Sequence, residues 1–216
     1  MANWRMWTVW LLLTLVAAAV VAGDRTVVID DFEDGLRPEW EVKEFLGQTL
    51  YTVGHDDAGG HVLRADSRAS ASGLVYKVDY SLREYPILSW RWKVSNILVK
   101  GDETKKSGDD YAARVYVVFP HWFFPKTKSI NYIWANKLPR GQHIPNPFTG
   151  NAIMLAVESG KEKVGRWVNV RRNVYEDYRM IFGEKPPRVG AIAIMTDTDN
   201  TGGTATAWYD DIRIER

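Results

Sequence analysis

Arg91, Asp110 and Arg114 have the types and surroundings to do chemistry. Each is a charged residue inside an aromatic and apolar run, Ser89-Trp90-Arg91-Trp92 and Asp109-Asp110-Tyr111-Ala112-Ala113-Arg114-Val115-Tyr116. Aromatic faces cover the apolar side of a sugar ring, while Arg and Asp fix its hydroxyls in bidentate fashion. Arg91, Asp110, Arg114, Tyr116 and Trp134 therefore read as a polar and aromatic face for a carbohydrate. An equally open reading makes the charges a structural ion pair and the rings packing residues. Asp197-Thr198-Asp199-Asn200-Thr201-Gly202 adds Asp197 and Asp199 to the candidate ligand-binding set, because polar loops at the end of a scaffold are where such sites sit. The same run looks like half a calcium loop, but the twelfth position is Tyr209 and not Glu, which favours a strand-end turn.

Catalytic chemistry has little to work with. The four histidines, His55, His61, His121 and His143, show no metal-ligand spacing. Ser72-Gly73 lacks the glycine that a nucleophile elbow places two residues before the serine. No glycine-rich phosphate loop follows a strand. Glu158 with Glu162, or Asp109 with Asp110, are the carboxylate pairs that a glycosidase mechanism would draw on, but sequence does not fix their separation.

These residues must be positioned by something, and the chain reads as many short strands. Alternation and turn residues predict strands at 26–29, 50–53, 62–65, 73–77, 87–94, 112–119, 130–135, 153–157, 167–170, 191–196 and 205–214. Trp90, Trp92 and Val94 share one face, so Arg91 and Lys93 point the other way. Tyr111, Ala113, Val115, Val117 and Phe119 likewise make a core face opposite Arg114 and Tyr116. Both arginines are thus expected on a shared non-core face of one sheet, with Asp110 at its edge. One helix is expected: Asn173 caps it, Glu176 completes a capping box, and Val174, Tyr178 and Ile181 fall on one face. Gly183 ends it before Pro186-Pro187, and its charged face of Glu176, Asp177 and Arg179 is expected to be solvated. The sum is an all-β, two-sheet β-sandwich of the jelly-roll or galactose-binding-like kind with one short helix.

Residues 1–23 differ from the rest. Arg5 is their one charge, and the apolar run from Met6 to Ala22 ends in small residues before Asp24. That is the pattern of a signal peptide, which predicts an exported, periplasmic or extracellular domain over 24–216. The competing reading is an uncleaved anchor, for which the run is just long enough. Setting Arg5 aside, 27 basic side chains balance 27 acidic ones, which argues against a nucleic-acid partner and against electrostatic membrane binding. After cleavage no stable membrane insertion is expected. With no cysteine, stability owes nothing to disulfides, which makes a metal staple more plausible.

Two resemblances complete the reading. Asp30-Asp31-Phe32-Glu33-Asp34-Gly35 near the start and Trp208-Tyr209-Asp210-Asp211-Ile212 at the end look like the carbohydrate-binding jelly rolls. There the first and last strands are often neighbours and often share a structural calcium. That resemblance implies Ca2+ held by Asp31, Glu33 and Asp211, hard oxygen ligands of the kind calcium takes. Ser70-Ala71-Ser72-Gly73-Leu74, Leu88-Ser89-Trp90-Arg91-Trp92, Gly108–Tyr116, Arg172-Asn173-Val174 and Met195–Thr201 resemble the exported bacterial family DUF3047, a domain of unknown function. It implies export and fold and carries no activity. The expected function is a non-catalytic binding module for a carbohydrate or other polar cell-envelope ligand. A polysaccharide-acting enzyme and an envelope protein-binding protein are the alternatives.

Overall fold

The computed structural model describes residues 25–56 and 59–216. The expected signal peptide therefore lies outside the described residues. Thirteen strands run in chain order as β1 (Thr26–Asp30), β2 (Trp40–Leu46), β3 (Leu50–His55), β4 (His61–Arg68), β5 (Ala71–Tyr80), β6 (Ile87–Val94) and β7 (Arg114–Phe119). They continue as β8 (Lys128–Ala135), β9 (His143–Asn146), β10 (Thr149–Ser159), β11 (Val168–Asn173), β12 (Val189–Asp197) and β13 (Thr204–Glu215). One sheet has the order β11-β6-β13-β4-β3, with β1 also paired to β13; the other runs β2-β5-β12-β7-β8-β10-β9. The pairings are antiparallel except β8 with β10. The first and last strands are neighbours, with Val27 opposite Ile214.

The inner faces interdigitate as alternation requires. Trp90 and Trp92 of β6 reach across to the other sheet, Trp90 stacking 5.4 Å from Tyr132 and Trp92 5.9 Å from Trp134. Leu63, Leu74, Val115, Val117, Ile192, Ile194 and Tyr209 close the same core. The first correction lies here: Trp134 is fully buried, its indole N–H donating to the Gly160 carbonyl at 3.0 Å, so it cannot offer a face to a ligand.

The helix α1 (Val174–Phe182) forms as its signals dictate. The Asn173 side chain accepts from the Glu176 N–H at 3.1 Å, and Gly183 ends the helix at φ +70°, a left-handed conformation that glycine adopts without strain. Tyr178 packs on Phe119 with ring centroids 4.6 Å apart. Asp177 is not solvated as expected. It turns inward and accepts from Tyr132 Oη at 2.8 Å and Arg172 Nε at 3.0 Å.

Two strands escaped the sequence. β2 is an edge strand, WEVKEFL, with nearly every side chain exposed, so no buried face imposed an alternation. β9 is four residues long and contains Pro145, which a strand tolerates at an edge. The expected strand at 112–119 begins only at Arg114. Tyr111 accordingly leaves the core face and joins Ile133, Met154 and Ala156 in a second apolar cluster on the outside of the seven-stranded sheet.

Candidate functional site

The outer face of the seven-stranded sheet carries a groove of about 450 Å³. Its floor comes from adjacent strands in register: Arg114 and Tyr116 on β7, and Met195 and Asp197 on β12, with Met195 opposite Arg114 and Asp197 opposite Ala71 of β5. The turn after β12 brings Asp199 and Asn200 to one wall, and the loop before β7 brings Asp109. Phe45 and Phe148 form the rims and are 65% and 55% exposed.

Arg114 is buried here, its side chain only 6% exposed, and faces an equally buried Asp197. Its Nε donates to Asp197 Oδ1 at 2.8 Å, a second guanidinium nitrogen contacts Oδ2, and the Asp109 carbonyl accepts at 3.3 Å. Tyr111 and Tyr116 flank the guanidinium, their ring centroids 4.5 and 5.9 Å from its carbon. Burial opposes the charge, but the surrounding Tyr116, Asp109, Tyr111 and Asp110 outweigh it and push the Arg114 pKa up. The cation is fixed in place.

The carboxylates divide by what they hold. Asp110 is fully buried and accepts from Asn200 N and Nδ2 at 3.1 and 3.2 Å and from Thr201 N at 2.6 Å, which clamps the 197–201 turn. Asp109 Oδ2 accepts from Asn146 Nδ2 at 2.7 Å, while its buried Oδ1 has no partner. Burial, followed by the neighbouring Asp110 charge, raises the Asp199 pKa above the usual aspartate range. Asp109, Asp110, Asp197 and Asp199 face one arginine, so the groove carries excess negative charge.

Five of the expected ligand-binding residues thus meet at one place: Asp110, Arg114, Tyr116, Asp197 and Asp199. Arg91 does not join them, which corrects the expected shared face. It lies on the outside of the other sheet, where its Nε donates to Asp210 at 2.9 Å and approaches Asp211 at 3.3 Å. Alternation assigns a residue to a face of its strand but is silent on which sheet the strand enters. Arg91 belongs to a row in which cations and rings alternate: Arg64, Trp208, Lys93, Trp167, Arg91, with separations of 5.7, 4.7, 5.0 and 4.5 Å. Cations already cover those indoles.

The expected calcium ligands do not converge. Glu33 accepts from the His61 N–H at 3.1 Å, and Asp211 is taken up by Arg91 and by Arg213 at 2.5 Å. Among the described residues, the group of three acids with one oxygen each within 4.8 Å is instead Asp110, Asp197 and Asp199. Asp110 and Asp197 turn their oxygens to N–H donors and a guanidinium, so Asp199 is the one uncommitted carboxylate. The candidate catalytic pairs are engaged elsewhere. Glu158 is buried against Lys163 at 2.7 Å while Glu162 is exposed, and Asp109 and Asp110 point to different partners.

Sequence reasoning missed Phe45, Phe148, Met195 and Asn200 as groove residues. Phe45 lies on the unrecognised β2 and Phe148 in an Asn-Pro-Phe-Thr-Gly turn, where an exposed aromatic was the available signal. Two other hollows, one beside Tyr178 and Lys128 and one along Arg64, Asp66 and Arg68, are of similar size, about 450 and 520 Å³, but neither contains a buried ion pair.

Two facing sheets with a polar groove on an outer face define a β-sandwich protein with a surface cleft. The chain belongs to the family described as "Protein of unknown function (DUF3047)", whose model matches residues 38–213. No curated protein matches the sequence. Among solved structures it is similar to a carbohydrate-binding module of the β-sandwich superfamily, at 13% identity and a TM-score of 0.47. That match covers 86% of this chain and 60% of that one, so this chain spans less than two thirds of its length. A family 30 carbohydrate-binding module of a Clostridium thermocellum cellulosomal cellulase is 11% identical, TM-score 0.47, with 82% and 90% covered. A CBM28 module specific for non-crystalline cellulose is 17% identical, TM-score 0.44, with 86% and 91% covered. The similarity is one of strand arrangement, and the function of this chain has to be sought in its own groove.

Proposed function

We propose that the protein is an exported, non-catalytic module that binds a carbohydrate in the groove floored by Arg114 and Asp197. One observation carries the reading: a rigid, buried ion pair lies beneath exposed aromatic rims, with the Asp199 carboxylate on the groove wall left to accept hydrogen bonds. Phe45, Tyr116 and Phe148 supply ring surface for the apolar side of a sugar, and the Asp199 carboxylate accepts from its hydroxyls. The excess of carboxylates selects the ligand by charge. A uronic acid would meet like charge, whereas a neutral sugar or one bearing an ammonium group would not. Among the described residues that line the groove, Asp109 and Asp197 are held by Asn146 and Arg114, which leaves Asp199 no second free carboxylate to act with it as general acid and base and favours binding over hydrolysis.

A glycan array followed by calorimetry tests this. Retention of neutral or amino-sugar glycans, with no release of reducing ends, is the expected result. Preference for polyuronates, or reducing ends released from a bound glycan, would refute it.

A further inference from the structure

The β7–β8 hairpin carries a feature that the groove does not use. Trp122 and Phe124 are 91% and 81% exposed, Phe123 stands between them, and the loop lies outside the groove. Such rings in water need a reason, because large apolar side chains side by side mark a contact surface.

The loop is built to hold them out. Lys126 N donates to the Phe123 carbonyl at 2.8 Å, Thr127 N to the Phe124 carbonyl at 2.9 Å, and Phe123 N to His121 Nδ1 at 3.0 Å. Asn151 Nδ2 anchors the Pro125 carbonyl at 2.6 Å, and His121 N donates to Thr127 Oγ1 at 3.2 Å. Much of the loop's backbone is therefore satisfied within the protein, and the tip can leave water with little further loss of hydrogen bonding. Behind the rings, Lys126, Lys128 and Lys185 border one hollow against Glu184 alone, a local positive excess that the balanced charge of the whole chain conceals.

We propose that this hairpin tip inserts into the interfacial region of an anionic lipid bilayer, Trp122 and Phe124 entering the headgroup–acyl boundary while the lysines meet the phosphates. Trp is enriched at that boundary, apolar rings drive shallow insertion, and nearby Lys side chains add attraction to anionic lipid. A convex tip backed by cations fits a bilayer surface better than a protein cleft, which would have to supply both an apolar pocket and acidic rims. Among the described residues no helix is long and apolar enough to cross a membrane, and shallow insertion asks for none.

Because the chain has no cysteine, Phe123→Cys in the full chain gives a single site for an environment-sensitive fluorophore, and Glu162→Cys a control near the other end of β8. The probe is a vesicle of phosphatidylcholine with phosphatidylglycerol, with nitroxide-labelled lipid as quencher. The label at 123 should shift to the blue and be quenched while that at 162 does neither, even if another segment tethers the chain to the vesicle. The double variant Trp122→Ala, Phe124→Ala should partition roughly tenfold less strongly at this site, with its melting unchanged because both rings are exposed. A label at 123 that stays in water on these vesicles would overturn the proposal. So would one that is buried without lipid, by a soluble glycan or by self-association.

Discussion

Arg114 and Arg91 look alike in sequence and differ in what surrounds them. Arg114→Ala leaves the Asp197 carboxylate buried without its partner, and should cost about 3–5 kcal/mol of stability in denaturant melts. Arg91 is partly exposed and shares the Trp167 indole with Lys93, so Arg91→Ala should cost about 1–3 kcal/mol and leave ligand binding intact. Equal losses for the two would mean that burial does not separate them. Asp199 has a different signature. Its raised pKa means that the folded state binds a proton more tightly than the unfolded chain. Its contribution is therefore fully present below the ordinary aspartate pKa, near 4, and is lost as pH rises through the higher folded value. Asp199→Asn should remove that loss, raising stability at neutral pH by under about 1 kcal/mol after solvent screening and leaving it unchanged in acid. Melts at both pH values decide it, and a destabilised variant at neutral pH would contradict the assignment.

At the scale of elements, what could be read from sequence was what local chemistry determines. The helix was legible because its cap, its apolar face and its terminating glycine lie within eleven residues of chain, Asn173 to Gly183. Asn173→Ala should cost about 1 kcal/mol, measurable as a shift in the denaturation midpoint. β6 and β12 were legible because both carry a buried face. β2 and β9 were not, since an exposed or proline-bearing edge strand has no pattern to show. The groove suffered from the same blindness: Asp110, Arg114, Tyr116, Asp197 and Asp199 could be picked out as polar residues amid apolar runs, but Phe45 and Phe148 come from exposed edges and turns.

The whole molecule decides what strands cannot. Alternation placed Arg114 opposite the core face of its strand, as the sandwich bears out, but could not say which sheet each strand joins. In the assembled sandwich Trp134 packs against Trp92 across the interface, and Trp134→Ala should cost about 3–5 kcal/mol through the cavity it leaves. The end-to-end pairing of β1 with β13 matches the neighbourhood implied by the jelly-roll resemblance. Of the acids implied to hold calcium with it, Glu33 pairs with His61 and Asp211 with Arg91 and Arg213. The groove's aromatic rims, by contrast, support nothing in the core, so they separate binding from folding. The most direct measurement is calorimetric titration of the best glycan from an array into the protein and into the Phe45→Ala, Phe148→Ala variant. With roughly 1 kcal/mol of affinity per ring, the variant should bind about tenfold or more weakly at an unchanged melting temperature. Unchanged affinity in the variant, or no glycan bound by the wild type, would contradict the assignment of the groove as a carbohydrate site.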